Sequence, residues 1–355
     1  MLLLGGSGKP AARVTSPAPR DTWNALVRDD RDALLSQTPE WMDCVVAFGG
    51  HEDASRLYEL PDGRQAVLPM VRRTGLAGRV SGSASFPAGW GVGGLVAPGG
   101  VTVEDARAVF ADLSSSPGLR TSLRPSPMQA PAWEAARPDG IAVVPRLAHS
   151  LDLEGGFEHI WKERFTGTAR TAVRKAEKSE LRVELDTTGR LIPVLYELYE
   201  RSLTRWAKQQ NEPRFLARLR AQHRDPVEKL ELLARRLGDA CRIWVAWQGD
   251  QPAAAILVLQ GANAHYTRGA MNKEIAGPTR ANYLLHRLAI ADACEAGCRH
   301  YYMGESGTSQ SLGQFKTRLG AIPRAHAEYH IERLPLTAID SGARGLVKRA
   351  IGFRD

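Results

Sequence analysis

The feature that most constrains the fold is an apolar hairpin followed by a regular series of elements. Residues 241–247 and 253–259 are two apolar runs joined by Gln248-Gly249-Asp250-Gln251. Such runs around a short polar turn predict paired antiparallel strands. A third strand is expected over 264–269. A helix starting at Thr279 or Asn282 then runs to Gly297, a residue suited to the left-handed end of a helix. Strand 299–303, a short helix over 311–319 that stops at Gly320, and a last strand over 325–331 follow. Upstream, Thr168 is placed to cap a helix in which Ala169, Ala172, Val173 and Ala176 recur at helical spacing. Strand 181–185 and helices 191–209 and 226–237 fill the interval. From Arg170 the order is helix, strand, two helices, three strands, helix, strand, helix, strand.

The first half is less regular. Residues 1–20 are rich in Gly, Pro, Ser and Ala without periodicity and read as a disordered leader. Gly5-Gly6-Ser7-Gly8-Lys9 is a poor phosphate loop, because no strand precedes it and Pro10 stands where Ser or Thr is required. Asp21 or Thr22 is placed to cap a helix carrying Trp23, Leu26 and Val27. Thr38 is placed to cap another, with Pro39 at its first position. Strands are expected over 56–60 and 66–71 around Pro61-Asp62-Gly63, a helix over 103–113 and a strand over 141–147. Residues 75–100 are Gly-rich and contain Phe86, Pro87 and Trp90, which suits either a substrate wall or a plain surface loop.

The chain of 355 residues is long enough for two cores. The organisation expected is a leader over 1–20, domains over 21–150 and 151–335, and a helical tail over 336–355. No apolar run approaches the roughly 20 residues that span a bilayer, and a cytoplasmic location is expected. Cys44, Cys241, Cys294 and Cys298 read as buried reduced thiols, not metal ligands. The net charge of +8 suits phosphate-rich partners such as RNA or coenzyme A, and equally suits solubility alone.

Three segments together resemble the Fem family, the peptidoglycan bridge-forming transferases and their relatives. They are Gln37-Thr38-Pro39-Glu40-Trp41; residues 170–178; and Gly277-Pro278-Thr279 through Gly297, Tyr301-Tyr302-Met303-Gly304, Leu312-Gly313-Gln314-Phe315-Lys316 and Leu319-Gly320-Ala321. The element order of the second half also matches the acetyltransferase (GNAT) fold. The resemblance implies an α/β (α+β) protein of two tandem GNAT-like domains. Each would be a mixed, mostly antiparallel sheet flanked by helices, with the acceptor on the first and the donor on the second.

Family members of known activity move an amino acid from aminoacyl-tRNA to an amine. An aminoacyl ester is already activated, so this chemistry needs no ATP site and no cofactor. It needs a cation for the developing oxyanion and a held amine. Lys316 matches the lysine of the family's Phe-Lys pair, and Phe315 would position it. Glu305, at a strand end, is placed to take the amine's proton or to bind its ammonium form, and equally to cap a loop; Tyr302 is placed to donate a hydroxyl. Trp41, Arg72 and Trp90 are the candidates for acceptor binding. Cell-wall members carry a lysine about one turn after the Trp matching Trp41. Here Met42-Asp43-Cys44-Val45 stands instead, which favours a small-molecule amine over a peptidoglycan precursor. Arg72 and Arg73 are a substitute source of charge.

Arg170, Arg174 and Lys178 fall at i, i+4 and i+8, with Lys175 beside them, and read as a phosphate-binding or a solvated helix face. Gly277, Thr279 and Arg280 lie where a helix N-terminus is expected to expose N–H groups to an anion. An acyl-coenzyme A donor is the alternative, although Glu274 and Thr279 depart from the pyrophosphate-binding pattern. A non-catalytic RNA-binding module is the third reading. His326 and His330 share a strand face with no third ligand, and no metal is assigned.

Overall fold

In a computed structural model the described residues are 12–307 and 309–353. The first half contains β1 (Arg13–Thr15), α1 (Arg20–Asp29), α2 (Pro39–Phe48), β2 (His51–Asp53), β3 (Arg56–Glu59), β4 (Gln65–Leu68) and β5 (Val71–Arg73). It continues with α3 (Gly75–Ser81), β6 (Ser83–Ala84), α4 (Val103–Ser115), β7 (Arg120–Leu123), α5 (Ala130–Ala136) and β8 (Ala142–Asp152). The second half opens with α6 (Gly156–His159), α7 (Gly167–Glu177), β9 (Arg182–Asp186), α8 (Ile192–Gln209), α9 (Arg214–Arg224) and α10 (Val227–Leu237). Then come β10 (Cys241–Gln248), β11 (Gln251–Gln260), β12 (Ala264–Met271), α11 (Lys273–Thr279), α12 (Ala281–Glu295), β13 (His300–Glu305), α13 (Gln310–Arg318), β14 (Ile322–Glu332) and α14 (Leu336–Ala350).

The hairpin that anchors the sequence reading forms as β10 and β11, paired antiparallel from Cys241–Leu259 to Gln248–Gln251. Eleven strands make one mixed sheet in the order β2-β5-β6-β7-β14-β8-β13-β12-β11-β10-β9, and β1-β3-β4 make a second. Only the β6–β7 and β12–β13 pairings are parallel among the described strands. The halves join through β14, which pairs with β7 on one side and β8 on the other. The boundary expected at 150/151 therefore falls inside β8. The apolar interior has three main parts. One lies between α1, α2, α8, α10 and the β10–β11 face. Another lies under α7 and α12. The third fills the first half around Tyr58, Phe110 and Trp133.

Local signals explain most elements. Thr38 Oγ1 accepts from Trp41 N at 3.2 Å and Pro39 opens α2. Gly320 ends α13 at φ +84, where an added Cβ would lie 2.7 Å from Arg164 Cβ. Several expectations are corrected. The expected leader reaches into folded chain, since Arg13–Thr15 pair with β3; residues 1–11 lie outside the described residues. Neither Asp21 nor Thr22 caps α1, whose N-cap is Pro19. Thr166, not Thr168, caps α7 by accepting from Ala169 N at 3.3 Å. Helix α9 is additional to the expected order. All four cysteines are free thiols; Cys44, Cys241 and Cys298 are buried as expected, whereas Cys294 is half-buried. Among the described residues no helix is long and apolar enough to cross a membrane.

Candidate active site

The site begins where two parallel strands part. β12 and β13 pair only at Ala264–Tyr301 and His265–Tyr302. Beyond that point β12 pairs with β11 and β13 with β8. A slot opens between them, with the partly exposed Tyr266, Thr267, Arg268 and Gly269 on one wall and Gly304 and Glu305 on the other. β13 carries a bulge between Tyr302 and Gly304, and Gly304 sits at φ +70, a conformation costly for a residue with Cβ. The bulge breaks the register just before Glu305.

α13 packs on β8 and β14 and delivers Lys316 to this spot. Its side chain is 1% exposed. Nζ donates to Gly304 O at 2.9 Å and to Glu305 O at 2.8 Å. Burial lowers the lysine to about 8, against the opposing pull of the Glu305 carboxylate. Around it, burial holds His265 and His286 at about 3, with Lys316 adding to the effect. The ammonium therefore sits among neutral imidazoles, with Arg268 the further cation acting on His265. Phe315 packs edge-on to Tyr283 at 4.9 Å and to His286 at 5.3 Å. It fixes α13 against α12 and so sets where Lys316 points.

Glu305 comes within 3.8 Å of His326 Nε2 and lies in the fields of Lys316, Arg124 and Tyr302. Burial, then the Glu305 charge, pushes the Tyr302 hydroxyl well up, so it remains a proton donor. Tyr302 also stacks at 4.7 Å on His265. Lys316, Phe315, Glu305 and Tyr302 are thus brought together.

Other expected site residues have different places. Trp41 is buried in the interior, with Nε1 donating to Trp90 O at 3.1 Å. Trp90 is buried beneath Lys229, whose Nζ lies 4.5 Å from its ring centroid. Neither Trp is a substrate wall. Arg72 pairs with Glu52 at 2.7 Å on β5, three strands from β14. Arg170 leaves the basic stripe, because Nη1 donates to Lys162 O at 2.8 Å and Phe165 O at 2.7 Å. Arg174, Lys175 and Lys178 are exposed. Gly277 and Thr279 lie inside α11, and Thr279 Oγ1 donates to Ile275 O at 2.7 Å. Arg280 is the left-handed N-cap of α12 and its N–H donates to Ala276 O at 3.0 Å. Residues 273–279 thus form a short helix ahead of α12.

Sequence reasoning missed a second polar group beside the slot. Asp225 accepts from Arg268 and from Lys229 Nζ at 3.1 Å. Glu328 accepts from Arg124 at 3.1 Å and Arg146 at 2.9 Å. The signal for Glu328 was the alternation of His326, Glu328 and His330 on one strand, a polar face that meets Arg124 and Arg146. Asp225 and Lys229 were visible as an i, i+4 pair. Arg124 had no local signal. A separate groove of about 680 Å³, lined by Phe157, Trp244, Arg287 and Asp292, shares no residue with the slot.

Residues 163–316 match the family profile of the acetyltransferase (GNAT) domain. The parted parallel strands lie within this matched segment, so residues 163–316 form a domain of the acetyltransferase (GNAT) type. The tandem arrangement is that of FemX, a Fem family member, whose crystal structure aligns over 92% of this chain and 99% of its own, with TM-score 0.64 and 12% identity. A conserved protein of unknown function from Bacteroides thetaiotaomicron aligns over 88% of this chain and 95% of its own, with TM-score 0.53 and 12% identity. At such identity the likeness speaks for the fold. Comparison with curated proteins gives no sequence match.

A pH dependence follows from the geometry. The ammonium of Lys316 is present below about 8 and lost above it. A rate that needs the charge therefore falls as pH rises through about 8. In Lys316→Arg the guanidinium stays charged, so the alkaline limb of the residual rate disappears. A limb that persists in the Arg variant belongs to another group.

Proposed function

We propose that the protein transfers an aminoacyl group from aminoacyl-tRNA to an amine, and that the acceptor is a small molecule or specialised metabolite rather than a peptidoglycan precursor. The observation that carries the donor half is α11. It takes in Glu274, Gly277 and Thr279, the positions that correspond to the acetyltransferase pyrophosphate pattern, and the N–H of Arg280 is already bonded to Ala276 O. Pro278 brings no N–H at all. Exposed Arg174 and Lys175 on α7 and Lys178 at its C-cap offer charge for a tRNA end. The acceptor half is supported by Met42-Asp43-Cys44-Val45, which lacks the family's lysine, and by the burial of Trp41 beside it.

In this reading the amine nitrogen attacks the ester carbonyl. The N–C bond forms, and Lys316 stabilises the oxyanion. The ester C–O bond breaks, Glu305 takes the proton from nitrogen, and Tyr302 protonates the leaving ribose oxygen. Purified protein with a radiolabelled aminoacyl-tRNA pool tests it. Ester loss that depends on added amines is expected, and no loss with any amine speaks against it. An acyl-coenzyme A donor is favoured by the acetyltransferase family match over 163–316. Amine-dependent release of free thiol from acyl-coenzyme A would decide for that donor.

The basic face gives its own test. Replacing Arg174, Lys175 and Lys178 with Gln leaves up to three phosphates without a protein cation. The slope of log affinity for charged tRNA against log salt is expected to shallow by about 2, at roughly 0.7 for each phosphate no longer neutralised. An unchanged slope assigns these residues to a solvated face.

A further inference from the structure

Where the halves of the sheet meet, cations outnumber carboxylates. Arg124 and Arg146 share Glu328. Arg268, Lys229 and Arg224 share Asp225. Five cations thus share two carboxylates, with Glu305 as a third nearby, and the groups are not separate islands. Arg124 lies in the field of Arg224, and its own field reaches Glu305 and Tyr302. Arg268 stands on the slot wall itself.

Like charges so close repel, and each guanidinium is a planar fork suited to an anion. Arg224 is largely exposed, with Nε 3.5 Å from Asp225 as its ion pair. A second observation points to the same space. His326 is 8% exposed, yet neither ring nitrogen has a hydrogen-bond partner among the described residues. Its Nε2 is aimed at Glu305. Buried polar atoms are ordinarily bonded, so a buried ring with both nitrogens unbonded beside this cluster calls for a partner. Burial holds His326 at about 4, so the ring is neutral and adds no charge to the surplus.

We propose that this cluster is the acceptor's anion subsite: the substrate amine carries its own carboxylate or phosphate, which Arg124, Arg224 and Arg268 hold while the amino group faces Glu305. The inference rests on the reading of the Lys316–Glu305 slot as the reaction centre. It narrows the acceptor from any amine to an anionic one, such as an amino acid or an aminoalkyl phosphate. It also gives the missing lysine after Trp41 a counterpart, because charge for the acceptor comes from the residue after β7, from the end of α9 and from β12 instead.

Calorimetric titration of the full chain, without donor, tests the subsite. The probes are β-alanine, γ-aminobutyrate and L-ornithine, the corresponding amides of the first two, 2-aminoethyl phosphate, and inorganic phosphate. The best acid is expected to bind about 10- to 100-fold more tightly than its amide, as charge-assisted hydrogen bonds predict. Arg124→Gln and Arg224→Gln are each expected to erase most of that preference. Arg224 is exposed, so its variant keeps the fold even where Arg124→Gln loosens the Glu328 pair. Tighter binding of 2-aminoethyl phosphate than of β-alanine would assign the anion as phosphate. Equal binding of acid and amide, a preference that survives both substitutions, no binding of any probe, or binding of inorganic phosphate without competition from the amines would overturn the proposal. Binding is read without turnover. A fully active Lys316→Ala would therefore remove the reaction centre and leave this result to stand or fall alone.

Discussion

Lys316→Ala is expected to lower kcat by about 100- to 1,000-fold while KM moves much less. The magnitude is that of removing one preorganised donor to a developing oxyanion. Two features place Lys316 at this level. The ammonium is buried, so its field is little screened by water. Two of its protons are fixed on the carbonyls of Gly304 and Glu305, so its position is set before any substrate arrives. Those same bonds tie the end of β13 to α13, and a purely structural lysine would show itself differently. It would lower the melting temperature and reduce rate and binding together. A variant that melts near the parent and has lost kcat supports the catalytic role. Unchanged kcat removes Lys316 from the mechanism.

The parts of the fold that were legible in the sequence are those written in short-range chemistry. The β10–β11 hairpin follows from its turn, and α2 from Thr38 and Pro39, because cap and helix are neighbours in sequence. The candidate quartet of the slot was legible for another reason. Glu305, Phe315 and Lys316 lie within one strand–loop–helix, so a motif holds them together. The errors have physical causes too. Gly277-Pro278 reads as a helix breaker, but a proline near the end of α11 is tolerated, and Asn272 caps the helix at Glu274 N. Thr166 and Thr168 are equally good caps by residue type, and only the chain path chooses. The placement of β14 between β7 and β8 joins residues some two hundred positions apart, as in Arg120 with Glu332. No local pattern encodes it. Trp41 and Trp90 illustrate the same gap, since a tryptophan that lines a pocket and one that fills a core have the same sequence signal. Arg124 needed that long-range pairing before it could be seen at all.

Lys229→Met is expected to destabilise the protein by about 3–5 kcal/mol, the range for removing one partner of a buried ion pair. Lys229 is 2% exposed and Asp225 equally so. Nζ donates to Asp225 Oδ1, to Arg224 O at 3.1 Å and to Gly89 O at 2.7 Å, with Trp90 beneath it. One ammonium therefore ties α9 and α10 of the second half to the glycine-rich loop of the first. Methionine replaces the stem but leaves Asp225 and two carbonyls without that donor. Arg268 and Arg224 remain near Asp225, which argues for the lower end of the range. The measurement is the shift in urea midpoint, read together with Asp225→Asn and the double variant. If the pair is coupled, the double variant loses less than the sum of the singles. Additive losses would assign the effect to the carbonyl bonds across the halves instead. The same variant bears on function, because Asp225 holds Arg268 on the slot wall. Freed from Lys229, the carboxylate can draw Arg268 away, so the preference for an anionic acceptor is expected to weaken along with the fold. Loss of stability with that preference intact would separate the scaffold from the subsite.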